Sequence, residues 1–141
     1  MKKKSIAFAL SLILIVSLFA PSAYAADTGA NTFVISPRYT NISTFSVSFS
    51  ISSTGLASCY SKVIPSSVTY NTSLTIELQR YSNGSWSTIK TWTGSGDGVY
   101  SLDKTHYVTS GYSYRIYVTA QISAKGILRE SVSTTSSTVK Y

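Results

Sequence analysis

Residues 74–93 read LTIELQRYSNGSWSTIKTWT, and this stretch decides the fold. Leu74, Ile76 and Leu78 alternate with Thr75, Glu77 and Gln79, the period of two that gives a strand one dry and one wet face. Asn83-Gly84 interrupts the pattern before a second run, Trp86 to Thr93. Asn-Gly between two such runs marks a β-hairpin, because a type I′ turn needs positive φ at both central residues. With a two-residue loop, Leu78 faces Ile89 and Glu77 faces Lys90. The apolar and charged pairs then fall on opposite faces, as a half-buried sheet requires, and a one-residue bulge would shift that register. The same register sets Tyr81 against Trp86, with Trp92 on their wet face beside Thr75 and Lys90.

The alternation extends in both directions. Phe45, Val47, Phe49 and Ile51 alternate with serines, Ser53-Thr54-Gly55 turns the chain, and a strand of about Leu56–Ile64 ends at Pro65. Beyond the hairpin, Gly94-Ser95-Gly96-Asp97-Gly98 reads as a flexible loop. A fifth strand is expected at about Val99–Tyr107 and a sixth from Tyr112 to Ile122. Ser123–Gly126 turns the chain into a seventh strand, roughly Ile127–Val139. Residues 26–42 read as a lead-in broken at Pro37, with Phe33–Ile35 able to make a short edge pairing. No stretch after residue 25 has helical periodicity. Seven short strands in one domain, residues 43–141, predict an all-β antiparallel β-sandwich, with a small barrel as the alternative.

Residues 1–25 are expected to be a secretory signal peptide. Lys2-Lys3-Lys4 precede an apolar run from Ile6 to Ala20, and Ala23-Tyr24-Ala25 supplies small residues for cleavage before Ala26. Cleavage would lower the formal charge from +7 to +4. The remaining cations are scattered, which argues against a nucleic-acid face, and no membrane contact is expected once the apolar run is gone. No sorting motif follows Val139-Lys140-Tyr141, so covalent wall attachment is not expected. The sequons at Asn41, Asn71 and Asn83 read as products of Ser/Thr richness.

Val108-Thr-Ser-Gly-Tyr-Ser-Tyr114 followed by Arg-Ile-Tyr-Val-Thr-Ala120 resembles a strand of the immunoglobulin and fibronectin type III superfamily. That resemblance implies an immunoglobulin-like fold and makes Tyr114 a corner tyrosine, its hydroxyl bonded back to the chain before the strand. The segments 78–86, Gly111–Arg115 and Glu130 also resemble a family of small secreted proteins of Gram-positive Firmicutes, which implies secretion and brings no activity. Antibody-type domains pair two cysteines. Here Cys59 is on the second strand and Ile116 stands where the other cysteine would be, so Cys59 reads as a small buried hydrophobe. Leu56-Ala-Ser-Cys59 has the letters of a lipid-attachment signal but follows a serine-rich strand, where such a signal would not act.

Catalytic chemistry finds little to use. Cys59, His106 and Asp103 are the only Cys–His–Asp set, and Cys59 is expected to face the core. The acids are scattered, Glu77 is matched by Lys90, and Glu130 could pair with Arg115 across the last hairpin. One carboxylate among the glycines at 94–98 makes a poor calcium site. No enzyme activity, cofactor or metal is expected. Tyr81, Trp86 and Trp92 on one wet face could instead stack on sugar rings or receive a protein, unless a neighbouring segment covers them. The expected function is therefore a secreted, monomeric, non-catalytic recognition or adhesion module at the Gram-positive envelope or outside it. Its partner would be a cell-wall glycan or another extracellular protein. The alternative is a structural, self-assembling protein that pairs through an exposed edge strand.

Overall fold

Asn83 and Gly84 have φ of 51° and 79°, so a type I′ turn closes the central hairpin. A computed structural model describes residues 31–35 and 39–141; the expected signal peptide, Asp27 and Pro37 lie outside them. Among the described residues nine strands follow in order: β1 (Asn31–Ile35), β2 (Ile42–Ile51), β3 (Leu56–Pro65), β4 (Asn71–Ser82), β5 (Ser85–Asp97), β6 (Tyr100–Tyr107), β7 (Ser113–Ala124), β8 (Ile127–Thr135) and β9 (Val139–Lys140). Every pairing is antiparallel. One sheet has the order β1-β2-β3-β6 and the other β5-β4-β7-β8, with β9 also on β7. Two stacked sheets, not a closed barrel, bury the chain's apolar residues between them.

The alternating residues do the work expected of them. Phe45, Val47 and Phe49 of β2 and Leu74, Ile76 and Leu78 of β4 are buried, as are Ile116, Val118 and Ile122 of β7. The intervening Ser and Thr residues face water, which is how a Ser/Thr-rich chain keeps an apolar core. Among the described residues the core runs from Ile42 to Ile122. Among the described residues no helix is long and apolar enough to cross a membrane.

The expected seventh strand is interrupted. β8 stops at Thr135, and Ser136 turns inward, donating its N–H to Ile116 O at 2.9 Å and accepting from Ile116 N–H on its Oγ at 3.0 Å. One serine thus pairs both polar groups of a buried residue, and β9 resumes opposite Tyr114.

Register also sorts the loops. Asn71 opposes both Asp97 and Ser123, so the β3–β4 loop (66–70), the β5–β6 connection (98–99) and the β7–β8 turn (125–126) share one end of the sandwich. Tyr81 opposes both Trp86 and Ser113, placing the β4–β5 turn and the β6–β7 loop at the other end.

Candidate functional site

Near its turn, the β4–β5 hairpin follows the expected register, with Tyr81 opposite Trp86 and Gln79 opposite Thr88. A bulge then intervenes: Leu78 opposes Lys90, Glu77 opposes Thr91 and Ile76 opposes Trp92. The reason is spacing. Ile89 and Trp92 are an odd number of residues apart and would point to opposite faces of a regular strand. The extra residue lets both pack against the core. Trp92 therefore lies on the dry side, its ring 6.2 Å from that of His106 on β6 and nearly perpendicular to it. The expected outer-face trio loses Trp92.

The same shift moves Glu77 away from Lys90; its carboxylate accepts instead from Thr88 Oγ1 at 2.9 Å. Glu130 does not meet Arg115 either. It opposes Ile122 and accepts from the N–H groups of Thr40 and Asn41, at 3.3 and 2.7 Å, tying the approach to β2 onto β8. Gly94 and Gly96 are not loop residues. They belong to β5, opposite Leu74 and Thr72, and the Tyr100 ring lies directly over both.

Tyr81 and Trp86 remain on the outer face of the five-stranded sheet, with ring centroids 5.2 Å apart and planes inclined at 54°. Arg115 of β7 lays its guanidinium 4.2 Å from the Trp86 centroid and donates from Nε to Gln79 Oε1 at 2.9 Å. One face of the indole is thus occupied by the guanidinium, a cation–π contact that also fixes the ring. Sequence reading paired Arg115 with Glu130 and missed this role, which needs the β4–β7 register to be seen. Further along the same face, Thr93, Thr75, Thr119 and Ser133 form a row across four strands. Thr75 and Thr93 hydroxyls are 3.1 Å apart and those of Thr119 and Ser133 2.9 Å. The face is polar and hydroxyl-rich, with its aromatic pair at the end that carries the Asn83-Gly84 turn.

Cys59, His106 and Asp103 do not converge on one site. Cys59 is fully buried and opposes Lys104, whereas Asp103 opposes Tyr60 on the other face of that sheet. Burial pushes the Cys59 thiol up from 9.0 to about 12, and the Asp103 charge adds to the rise. Such a thiol holds its proton and is a poor nucleophile. Native Cys59 should react with iodoacetamide at pH 8 at least ~100-fold more slowly than the unfolded chain. The raised value favours the folded state fully below the unfolded thiol's pKa, and the advantage is lost as pH rises from about 9 toward 12. By pH 10 the loss is about 1.4 kcal/mol. Cys59→Ala should therefore show a shallower fall in melting temperature than the parent over that range, and identical slopes would refute the assignment.

Tyr114 is buried on β7, and its hydroxyl donates to Thr109 O at 2.6 Å. Burial pushes its phenol up, partly offset by that bond and by the Arg80 charge. Arg80 lies 4.6 Å from the Tyr112 centroid. Among the described residues no group of three His, Cys, Asp or Glu gathers as a metal site would need. No protein-family model, curated protein or solved structure matches the chain.

Proposed function

We propose that this chain is a secreted, non-catalytic recognition module of the immunoglobulin and fibronectin type III kind, working at or outside a Gram-positive envelope. The strand orders support the superfamily reading. With the short β1 and β9 set aside, the orders β2-β3-β6 and β5-β4-β7-β8 are compatible with a sandwich of that kind, and Tyr114 makes the corner hydrogen bond the resemblance implies. The binding face is the outer side of the five-stranded sheet. Its ligand is a cell-wall glycan, with another extracellular protein as the other partner class. The observation that carries this reading is the Tyr81–Trp86 pair, braced by Arg115 at one end of a hydroxyl-rich face. Sugars offer apolar ring faces to aromatics and many hydroxyls to Ser, Thr and Gln, so the two parts of the face suit one ligand class.

Self-assembly through a sheet edge is the weaker reading. β5 is bulged at Ile89-Lys90 and β8 at Arg129, and bulges with cations are common protection for open edges. A two-fold pairing of β6 about its middle, with dry faces aligned, would set Asp103 against Asp103 or Lys104 against Lys104, which is unfavourable.

The test is co-sedimentation of residues 26–141 with isolated Gram-positive cell walls and with insoluble polysaccharides, at low and moderate salt. Salt-resistant binding is expected, reduced roughly ten-fold or more by Tyr81→Ala with Trp86→Ala. Binding that the double variant leaves intact, or that salt abolishes, would overturn the assignment.

A further inference from the structure

Among the described residues, the large apolar side chains left in water divide by type between the two ends of the sandwich. At the end carrying the β4–β5 turn they are tyrosines: Tyr81, Tyr107 and Tyr112. At the opposite end they are aliphatic. Val68 of the β3–β4 loop is 80% exposed, Val99 of the β5–β6 connection 51%, and Ile127 and Leu128 beside the β7–β8 turn 58% and 56%.

These aliphatic residues are displayed by a fixed framework. Gly98 donates its N–H to Tyr70 O at 2.7 Å, and Thr72 Oγ1 donates to Gly98 O at 2.6 Å, so the Val68 and Val99 loops are tied together. Lys125 and Gly126 have φ of 52° and 75°, a second type I′ turn that closes the β7–β8 hairpin. Ile127 opposes Ala124 and Leu128 opposes Ser123, so the two apolar side chains leave opposite faces of the hairpin tip. The bulge at Arg129 decides which face each takes: Leu128 goes outward with Ser123, whereas without the extra residue it would continue the inward row of Val132 and Glu130.

Exposed charge at this end is divided, with cations at the β7–β8 turn and a carboxylate, Asp97, beside Val99. Lys125 and Arg129 bracket Ile127-Leu128 in the chain and both face water. Asp97 accepts from Asn71 and Glu130 from the Thr40 and Asn41 amides; both keep their charge, and neither stands between Lys125 and Arg129 in the chain. The exposed Ile127–Leu128 tip, flanked by two cations, suits an anionic, fluid, apolar sink.

We infer that this end of the sandwich docks shallowly on an anionic lipid surface, with Ile127 and Leu128 entering the interface beside Lys125 and Arg129 and with Val68 and Val99 as a second contact. Two features favour lipid over protein. Hot spots between proteins favour Trp, Tyr and Arg, with Leu and Val under-represented, whereas hydrocarbon accepts any aliphatic side chain. A protein partner would also need one surface matched to two separate exposed loops, while a fluid bilayer interface takes up each apolar tip independently. Hairpin pairing satisfies the backbone across the tip, a condition for leaving water. The docking does not depend on the Tyr81–Trp86 face, which lies toward the other end and would stay free to bind. It also departs from the expectation that cleavage of the apolar leader ends all membrane contact.

The test is flotation of residues 26–141 with phosphatidylcholine vesicles, with and without about one-third phosphatidylglycerol. The protein should float with the anionic vesicles. Ile127→Ser with Leu128→Ser, and separately Val68→Ser with Val99→Ser, should each weaken binding roughly ten-fold or more. Tyr81→Ala with Trp86→Ala should float like the parent. Absence from both kinds of vesicle would overturn the inference, and so would equal binding by the serine variants. A concentration-dependent dimer abolished by those same serines would overturn it too, assigning the end to a second copy. Because walls and vesicles are separate readouts, failure on one leaves the other standing.

Discussion

Trp92→Ala should lower the melting temperature by roughly 10–20 °C, while Trp86→Ala should move it by about 5 °C or less. The two residues lie on one strand, six apart, and a regular strand would put them on the same face. The bulge at Ile89 separates them. Trp92 packs against the core opposite Ile76 and meets His106 across the gap between the sheets. Deleting it removes a large side chain that closes the β5–β6 flank of the core, and water would enter beside Ile76. Full deletion of a buried Trp costs about 3–5 kcal/mol, and its partial exposure lowers that to about 2–4. Trp86 has only its contacts with Tyr81 and Arg115 to lose, about 1 kcal/mol between them. Thermal melts by circular dichroism of the two single variants decide the matter. Equal losses would mean that the indoles share an environment and that the bulge is absent in solution. Fluorescence adds a check, since Trp92 left alone in Trp86→Ala should emit further to the blue than Trp86 left alone in Trp92→Ala.

The sandwich was legible in the sequence because it rests on alternation and turn chemistry, both local. Phe45–Ile51, Leu74–Leu78 and Tyr114–Ile122 announce their buried faces residue by residue, and Asn83-Gly84 names its own turn. What escaped is where a local pattern is broken to satisfy a packing demand elsewhere. Counting back from Asn83-Gly84 puts Trp92 outside, because a bulge leaves no mark at the turn. The clue was the odd spacing of Ile89 and Trp92, followed by Gly94 and Gly96 at even steps from Trp92 on the same face. Two small residues continuing an apolar row suggest that something packs there, yet Gly-Ser-Gly-Asp-Gly reads as a loop until Tyr100 is seen. Glu130 was obscure for a similar reason: its partners are backbone amides of residues 40 and 41, some 90 positions away. The candidate face was half legible. Tyr81 and Trp86 follow from the turn, but Arg115 and Gln79 join them only through the β4–β7 pairing.

Gly94→Ala combined with Gly96→Ala should destabilise the protein by about 2–4 kcal/mol, and the same pair should stabilise a Tyr100→Ala background. Neither glycine has positive φ, so nothing in the backbone forbids a side chain. Glycine inside a strand is a conformational cost of about 0.5–1 kcal/mol relative to alanine, and two in β5 must be offset by something. The Tyr100 ring is that something. It crosses from β6 to lie along β5, so close that a Cβ on Gly96 would stand 2.8 Å from its Cδ2 and one on Gly94 would overlap its hydroxyl oxygen. A tyrosine can swing its tip, but Cδ2 is next to the root of the ring, and Gly96 alone would push the whole side chain out of its slot. Tyr100 packs on the core beside Trp92, so displacing it opens the same flank that Trp92 closes. With Tyr100 reduced to alanine the obstruction is gone, and only the entropic benefit of replacing glycine remains, about 0.4–1 kcal/mol at each site. The effect of one substitution pair thus changes sign with a single residue on another strand. Urea denaturation of the parent, the Gly94/Gly96 double variant, Tyr100→Ala and the triple variant completes the cycle. A loss of the same size in both backgrounds would mean that the glycines serve the strand's own geometry and that the Tyr100 ring does not rest on them.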